Sequence, residues 1–274
     1  MTQLMKGKKG LIVGVANDHS IAWGIAQALA QQGAELALTY QGEPMKKRVL
    51  PLAEKLSAAM TLNMDVTQPE TMDQAFAHLT KKWKKIDFIV HAVAFSDRNE
   101  LRGRYIDTTL NNFLNTMHIS VYSFTELCRR AAPLMKDGGA CLTLTYLGAQ
   151  KYVQNYNVMG VAKAALEASV RYLAFDLGGQ NVRVNAISAG PIKTLAAAGI
   201  GDFNAMLNWA QLNAPLGKNV TPQDIGQTAL FLLSDFSTAI TGEVVYVDAG
   251  YHNQGMINLK NADSLAQVLQ SAKK

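Results

Sequence analysis

ACLTLTYLGAQKYVQNYNVMGVAK, residues 140–163, is the stretch on which the reading of this chain turns. Its first six residues are apolar or hydroxylated and read as a buried strand. After Asn155 the spacing becomes helical and continues to Leu177. Between strand and helix lie two tyrosines, Tyr146 and Tyr156, and the helix carries Lys163. At about 3.6 residues per turn, Tyr156 and Lys163 fall two turns apart and nearly on one face, so the long lysine side chain can reach back toward a phenol or a bound ligand. Tyr146 stands where the strand ends, which is where open α/β sheets place their active sites. Taken singly, tyrosines pack and lysines are solvated. The combination, and what flanks it, carries the case for chemistry.

Working outward, the same alternation runs the length of the chain. Strands are expected at 8–15, 36–40, 60–64, 86–93, 140–145, 182–187 and 244–247. Helices are expected at 21–32, 44–58, 69–84, 108–135, 155–177, 203–212 and 222–233. Strand–helix alternation with right-handed crossovers predicts an α/β fold: one Rossmann-like, doubly wound parallel sheet of about seven strands with helices on both faces. There is no internal repeat, low-complexity linker or composition break. Residues 1–274 therefore read as one domain, with a polar tail from about residue 251 to which no role is given.

Composition narrows the class. Hydrophobic residues make up 49% of the 274, enough for a large core. No apolar run approaches the roughly 18–20 residues of a membrane span, and the N-terminus lacks a signal-peptide pattern. The only cysteines, Cys128 and Cys141, are not close-spaced and read as buried thiols of a reducing compartment, which points to the cytoplasm. The five histidines make no metal-binding spacing, so no metal site is expected. The net charge of +5 resides in helix-face runs such as Lys46-Lys47-Arg48. No basic patch is interleaved with aromatics, which argues against nucleic acid.

Five strand ends carry weak signals that reinforce one another. After the first strand, Gly14 permits a tight turn, and Ser20 and Ile21 open a helix whose amides can hold a diphosphate. The spacing is wider than G-x-G-x-x-G, and Gly–Ser turns are common. After the second, Gln41 stands where dinucleotide folds meet the adenosine ribose; its neutrality and Glu43 lean toward NAD, while Lys46, Lys47 and Arg48 keep NADP open. After the third, Asp65 and Val66 follow; the carboxylate either accepts from an adenine amino group or caps the next helix. After the fourth, the small residues of HAVAF, with Val93, suit close ligand approach or tight helix–sheet packing. After the sixth, Gly190-Pro191 precedes Ile192, Lys193, Thr194, Leu195 and Ala196, and this small apolar run suits a mobile lid. In a doubly wound sheet all these ends share one edge, and a dinucleotide lying along that edge would meet each of them.

With these blocks in view, the chain resembles the short-chain dehydrogenase/reductase superfamily, and within it the bacterial NADH-dependent enoyl-acyl-carrier-protein reductases. GVANDHSIAWGIAQ, LTLTYLGAQ, NYNVMGVAKAALEASVRYLA, VRVNAISAGPIKTLAA and TGEVVYVDAG carry the resemblance, which spans about residues 6–250. The ordinary superfamily pattern, Tyr-x3-Lys, fails because Met159 stands four before Lys163. Tyr156-x6-Lys163 is the enoyl reductase spacing.

The resemblance implies reduction of the trans-2 double bond of enoyl thioesters on acyl-carrier protein with NADH, the last step of the type II elongation cycle. It implies that Tyr156 hydrogen-bonds or protonates the thioester oxygen, and that Lys163 holds the nicotinamide ribose and favours the ionised phenol. Tyr146 would line the substrate site and Ser96 would stand beside the substrate. Gly14, Ser20, Ile21, Gln41, Asp65, Val66, Val93, Lys163 and 192–196 would contact NAD. A homotetramer and docking of the carrier protein are further implications. Two departures stand out: Ala94 replaces a glycine common in the family, and residues 194–217 contain no lysine or arginine.

Overall fold

In the computed structural model the described residues are 3–271, apart from 196, 198 and 199. Among them, seven strands form one parallel sheet in the order β3-β2-β1-β4-β5-β6-β7. The strands are β1 Lys9–Val13, β2 Glu35–Tyr40, β3 Met60–Asn63, β4 Phe88–His91, β5 Gly139–Thr145, β6 Val182–Ala189 and β7 Val244–Val247. The order reverses between β1 and β4. Doubly wound sheets open a ligand crevice beyond the carboxyl ends of the strands at such a switch point.

The helices are α1 Ile21–Gln31, α2 Gly42–Lys55, α3 Pro69–Trp83, α4 Leu110–Met117, α5 Ser123–Ala131, α6 Asn157–Gly178, α7 Phe203–Asn213, α8 Pro222–Leu233 and α9 Ala262–Ser271. Two apolar layers enclose the sheet. α1, α2 and α8 cover one face through Ile25, Leu29, Leu52, Ile225 and Leu232. α3, α5 and α6 cover the other through Phe76, Leu79, Phe124, Leu127, Leu166 and Val170. Strand alternation sets the sides: Ala140 and Leu142 of β5 face the first layer and Cys141 the second. Both cysteines are buried and free. No described helix is long and apolar enough to cross a membrane.

Two expectations need correction, and the tail, for which none was made, holds a helix. The long helix expected at 108–135 is α4 and α5 joined by a π-type turn, His118–Tyr122, and followed by a 3-10 turn at Ala132–Leu134. The wider turn presents Ser120, whose hydroxyl donates to the Phe95 carbonyl at 3.1 Å and accepts from the Phe95 N–H at 3.0 Å. The 3-10 turn holds Pro133, which cannot donate the next helical hydrogen bond. The polar tail contains α9, which packs against α7 and buries Leu265. Asn213 and Leu212 of α7 are tied to the turn that leads into it: Asn258 N–H donates to Asn213 Oδ1 at 2.8 Å, and Asn261 Nδ2 to the Leu212 carbonyl at 2.6 Å. Finally, α6 starts after Tyr156, which is the residue flanking the helix, so its place on a helical face does not hold.

Candidate active site

The β1–α1 turn and the start of the β4–α4 loop meet at the switch point. Gly14 has φ +109°, and a Cβ there would collide with the Ala92 carbonyl oxygen, so a side chain is excluded by both backbone and space. Ser20 caps α1: its hydroxyl donates to the Asn17 carbonyl at 2.7 Å and accepts from the Trp23 N–H at 3.3 Å. The first amides of a helix have no partner inside it. Ser20 takes that of Trp23, while those of Ile21 and Ala22 remain directed out of the helix start, a donor set that fits a diphosphate.

Further along the edge, Gln41 and Asp65 join the ends of β2 and β3. Gln41 Nε2 donates to Asp65 Oδ2 at 2.8 Å. Asp65 Oδ1 accepts from both the N–H and the hydroxyl of Thr67, at 2.8 and 2.7 Å. Partial burial works against the carboxylate, but the bonds from Gln41 and Thr67 outweigh it and hold Asp65 below its usual range. The residue capping α3 is Gln68, so Asp65 acts through the turn before the helix. Glu43 is paired with Lys46 at 2.9 Å. Val66 is buried, while Val93 is half-buried and lies beyond the end of β4, which stops at His91.

The tyrosine–lysine end is different in kind. Tyr146 follows β5 directly and Tyr156 precedes α6; their rings meet edge to face at 5.1 Å. Tyr156 is flanked by two asparagines in the left-handed region, Asn155 at φ 59° and Asn157 at φ 34°. Asparagine tolerates this region better than most side-chain-bearing residues, and such backbone persists only when its surroundings fix it. Here they do: Asn155 Nδ2 donates to Asp202 Oδ2 at 3.1 Å, and Asn157 Nδ2 to the Glu100 carbonyl at 3.2 Å. The tyrosine is thus held between the loop after β4 and the segment leading into α7. A Cβ on Gly148 would stand 2.5 Å from the Tyr156 ring, so the turn after β5 lies directly on the phenol ring. From above, Met206 of α7 accepts from the Tyr146 hydroxyl at 3.3 Å.

Lys163 is buried, and its ammonium donates to the Leu144 carbonyl at 2.8 Å. That bond uses one of three donors; the remaining two, beside the end of β5, fit a pair of ribose hydroxyls. Burial draws the lysine down to about 8, opposed by Glu167 one turn along α6. Burial pushes the Tyr156 phenol well above its ordinary value, and Tyr146 adds to this. Tyr146 is raised likewise by burial, then by Tyr251 and Asp248. The expectation that Lys163 favours an ionised phenol finds no support in these shifts: the influences on Tyr156 are burial and Tyr146, and both raise it.

The remaining expected residues are less closely drawn in. Ser96 is turned toward α4, accepting from Thr116 Oγ1 at 3.0 Å and Asn112 Nδ2 at 3.2 Å. Ile192 is buried; Lys193 and Leu195 are exposed. Thr194 Oγ1 accepts from the Ala197 N–H at 3.2 Å, and Ala196 lies outside the described residues. Sequence reasoning missed Gly148, Asn155, Asn157 and Met206. Two asparagines bracketing a tyrosine before a helix were the available signal for the strained pair; nothing local marks Met206.

The family model described as enoyl-(acyl carrier protein) reductase matches residues 14–252. The chain belongs to the enoyl-acyl-carrier-protein reductase family. A Rhizobium meliloti relative, enoyl-[acyl-carrier-protein] reductase [NADH] 1, is 62% identical over 253 residues, covering 92% of this chain and 93% of that protein. Among solved structures, an enoyl reductase from Anaplasma phagocytophilum in complex with NAD is 59% identical with a TM-score of 0.92, covering 94% of this chain and 99% of that one. The Bacillus cereus reductase, solved with NADP+ and an indole naphthyridinone, is 47% identical with a TM-score of 0.91, covering 92% and 99%. Membership of this family accounts for the topology of the sheet.

Proposed function

We propose that this protein reduces the trans-2 carbon–carbon double bond of enoyl-acyl-carrier-protein thioesters with NADH, the closing step of each type II fatty acid elongation cycle. The observation that carries this reading is the buried Tyr156 phenol, with the half-buried Tyr146 ring edge-on to it, near a buried lysine at the carboxyl edge of the sheet. Bound NADH supplies the hydride that adds to the β-carbon. Tyr156, protonated and desolvated, hydrogen-bonds or protonates the thioester oxygen as negative charge develops there, which is usually the largest catalytic term. Tyr146 packs its ring against that phenol and lines the acyl site beneath Met206. Lys163 binds the nicotinamide ribose hydroxyls. Gly14, Ser20 and Ile21 receive the diphosphate, Gln41, Asp65 and Val66 the adenosine, and Val93 with residues 192–196 the nicotinamide end. Ser96 stands beside the substrate and is freed from Asn112 and Thr116 if it contacts it.

The chain functions as one reductase domain, 1–274, in the cytoplasm, where two free buried thiols persist. It assembles as a homotetramer. α6 leaves Val161, Tyr172 and Phe175 exposed, the last at 89%, and large apolar side chains left exposed on one helix support an interface there. Phe175→Glu should lower the mass seen by light scattering; an unchanged tetramer, or a wild-type monomer, would refute this.

The test of activity is spectrophotometric. A short enoyl thioester with NADH should consume the reduced cofactor's absorbance, faster than with NADPH. A β-hydroxyacyl thioester with NAD should give no comparable turnover; equal rates would instead indicate alcohol–ketone chemistry.

A further inference from the structure

The buried face of α6 carries Ala162, Lys163, Leu166, Glu167, Val170 and Ala174 against the sheet. Two opposite charges one turn apart on an otherwise apolar face need explanation, because an isolated buried charge is costly. Each is tied to the last residues of β5. Lys163 Nζ donates to the Leu144 carbonyl at 2.8 Å, and Thr145 Oγ1 donates to Glu167 Oε1 at 2.8 Å. A hydroxyl has one proton, and Thr145 gives it to Glu167, which suits an ionised acceptor. The strand end therefore holds both side chains without bringing them into contact.

We propose that Glu167, anchored by Thr145, is a positioning residue for Lys163: its carboxylate keeps the ammonium charged and directed at the end of β5. This rests on the assignment of Lys163 to the cofactor site. The other titratable groups around the lysine do not supply that charge. His91 of β4 lies between Thr143 Oγ1 and Ser123 Oγ, at 2.8 Å from each, and burial draws it down to about 3, so it is neutral. Tyr146 and Tyr156 are raised by burial and stay neutral. Tyr246 of β7 is raised by burial, then by Glu167. Asp248 acts on Tyr146, Tyr246 and Tyr251. Among the described residues, Glu167 is the anion that opposes the desolvation of Lys163.

The test compares the full-length wild type with Glu167→Gln and Thr145→Val. Glu167→Gln keeps an acceptor for the Thr145 hydroxyl and loses the charge; Thr145→Val keeps the charge and loses the anchor. Lys163 is titrated in the cofactor-free protein by NMR of 15N-labelled lysine, its signal assigned by Lys163→Arg, and kcat/KM for NADH is followed against pH. Wild-type Lys163 should titrate near 8, and Glu167→Gln should lower this by about one pH unit. The alkaline limb of kcat/KM should move with it, giving about a tenfold loss above both values. Thr145→Val should shift both in the same direction by less. A merely structural tie between α6 and β5 would lower stability and leave the titration in place.

An unmoved Lys163 titration in Glu167→Gln overturns the proposal, and so does a moved titration with an unmoved limb. If Glu167→Gln does not fold, an unshifted titration in Thr145→Val overturns it. Full NADH affinity in Lys163→Ala would instead overturn the assignment of Lys163 itself, whatever the titrations show.

Discussion

The two ends of the sheet's carboxyl edge solve different problems. At β2 and β3, Gln41 and Asp65 are joined by an open hydrogen-bond network that lowers a carboxylate. At β5 and α6, Tyr156 and Lys163 are at most 7% exposed, and burial moves both away from their charged forms. One end meets a ligand with accessible polar groups that are cheap to rearrange. The other fixes a phenol in a strained, tightly packed turn and withdraws it from water. Electrostatic effects are much larger in the second setting than in the first. Substitutions at the buried end should therefore alter chemistry, and those at the open end should alter cofactor affinity by small factors.

The largest effect should come from Tyr156→Phe. It deletes the donor to the developing oxyanion and should lower single-turnover reduction by roughly 10²–10³-fold, with NADH affinity in fluorescence titration nearly unchanged. Full turnover would remove Tyr156 from the chemistry. Lys163→Ala removes the charged hydrogen bonding to the ribose; at about 1.5–3 kcal/mol in all, NADH should bind about 10–100-fold more weakly. Gly148→Ala drives a methyl to within 2.5 Å of the Tyr156 ring. Overpacking of this kind costs about 1–3 kcal/mol, visible as a lower melting temperature together with lost turnover; a stable, active variant would show the turn to be pliable. Gln41→Ala loses one hydrogen bond at an exposed site and should change NADH affinity by less than about tenfold, with little effect on kcat. A large kcat effect there would break the contrast between the two ends.

pH separates activity from stability at the buried end. Lys163 has a folded-state value of about 8, below its ordinary 10.5. Between those values the unfolded chain binds more protons than the folded one, so this group's contribution to stability rises with pH from about 8 toward 10.5. Cofactor binding that needs the ammonium falls over the same range. Lys163→Met should flatten the rise in denaturant midpoint; a slope unchanged from wild type would place the titration elsewhere.

The sheet and its order of elements were legible because strand–helix alternation is written in every segment, and because strands covered on both faces read as apolar runs such as 140–145. The lysine and both tyrosines were legible from their place in one block between a strand and a helix, although Tyr156 flanks that helix rather than sharing its face. What escaped depends on contacts distant in sequence. The π-type turn at His118–Tyr122 exists to bring Ser120 to Phe95, 25 positions away. The left-handed asparagines around Tyr156 are fixed by Asp202 and Glu100, each more than 40 positions away. The suppressed ionisation of the phenol is a property of burial, which sequence spacing does not encode. α9 is amphipathic, but it packs on α7 rather than on the sheet and so lies outside the strand–helix alternation from which the other helices were read.

The central claim is that packing, rather than a neighbouring charge, sets the state of the phenol at the reacting end. Its most direct measurement is the titration of Tyr156 by NMR of 13Cζ-labelled tyrosine, assigned through Tyr156→Phe. The account predicts that Tyr156 remains protonated through its ordinary value of 10.0, above the titration of Lys163. A Tyr156 signal that ionises below that value would contradict it.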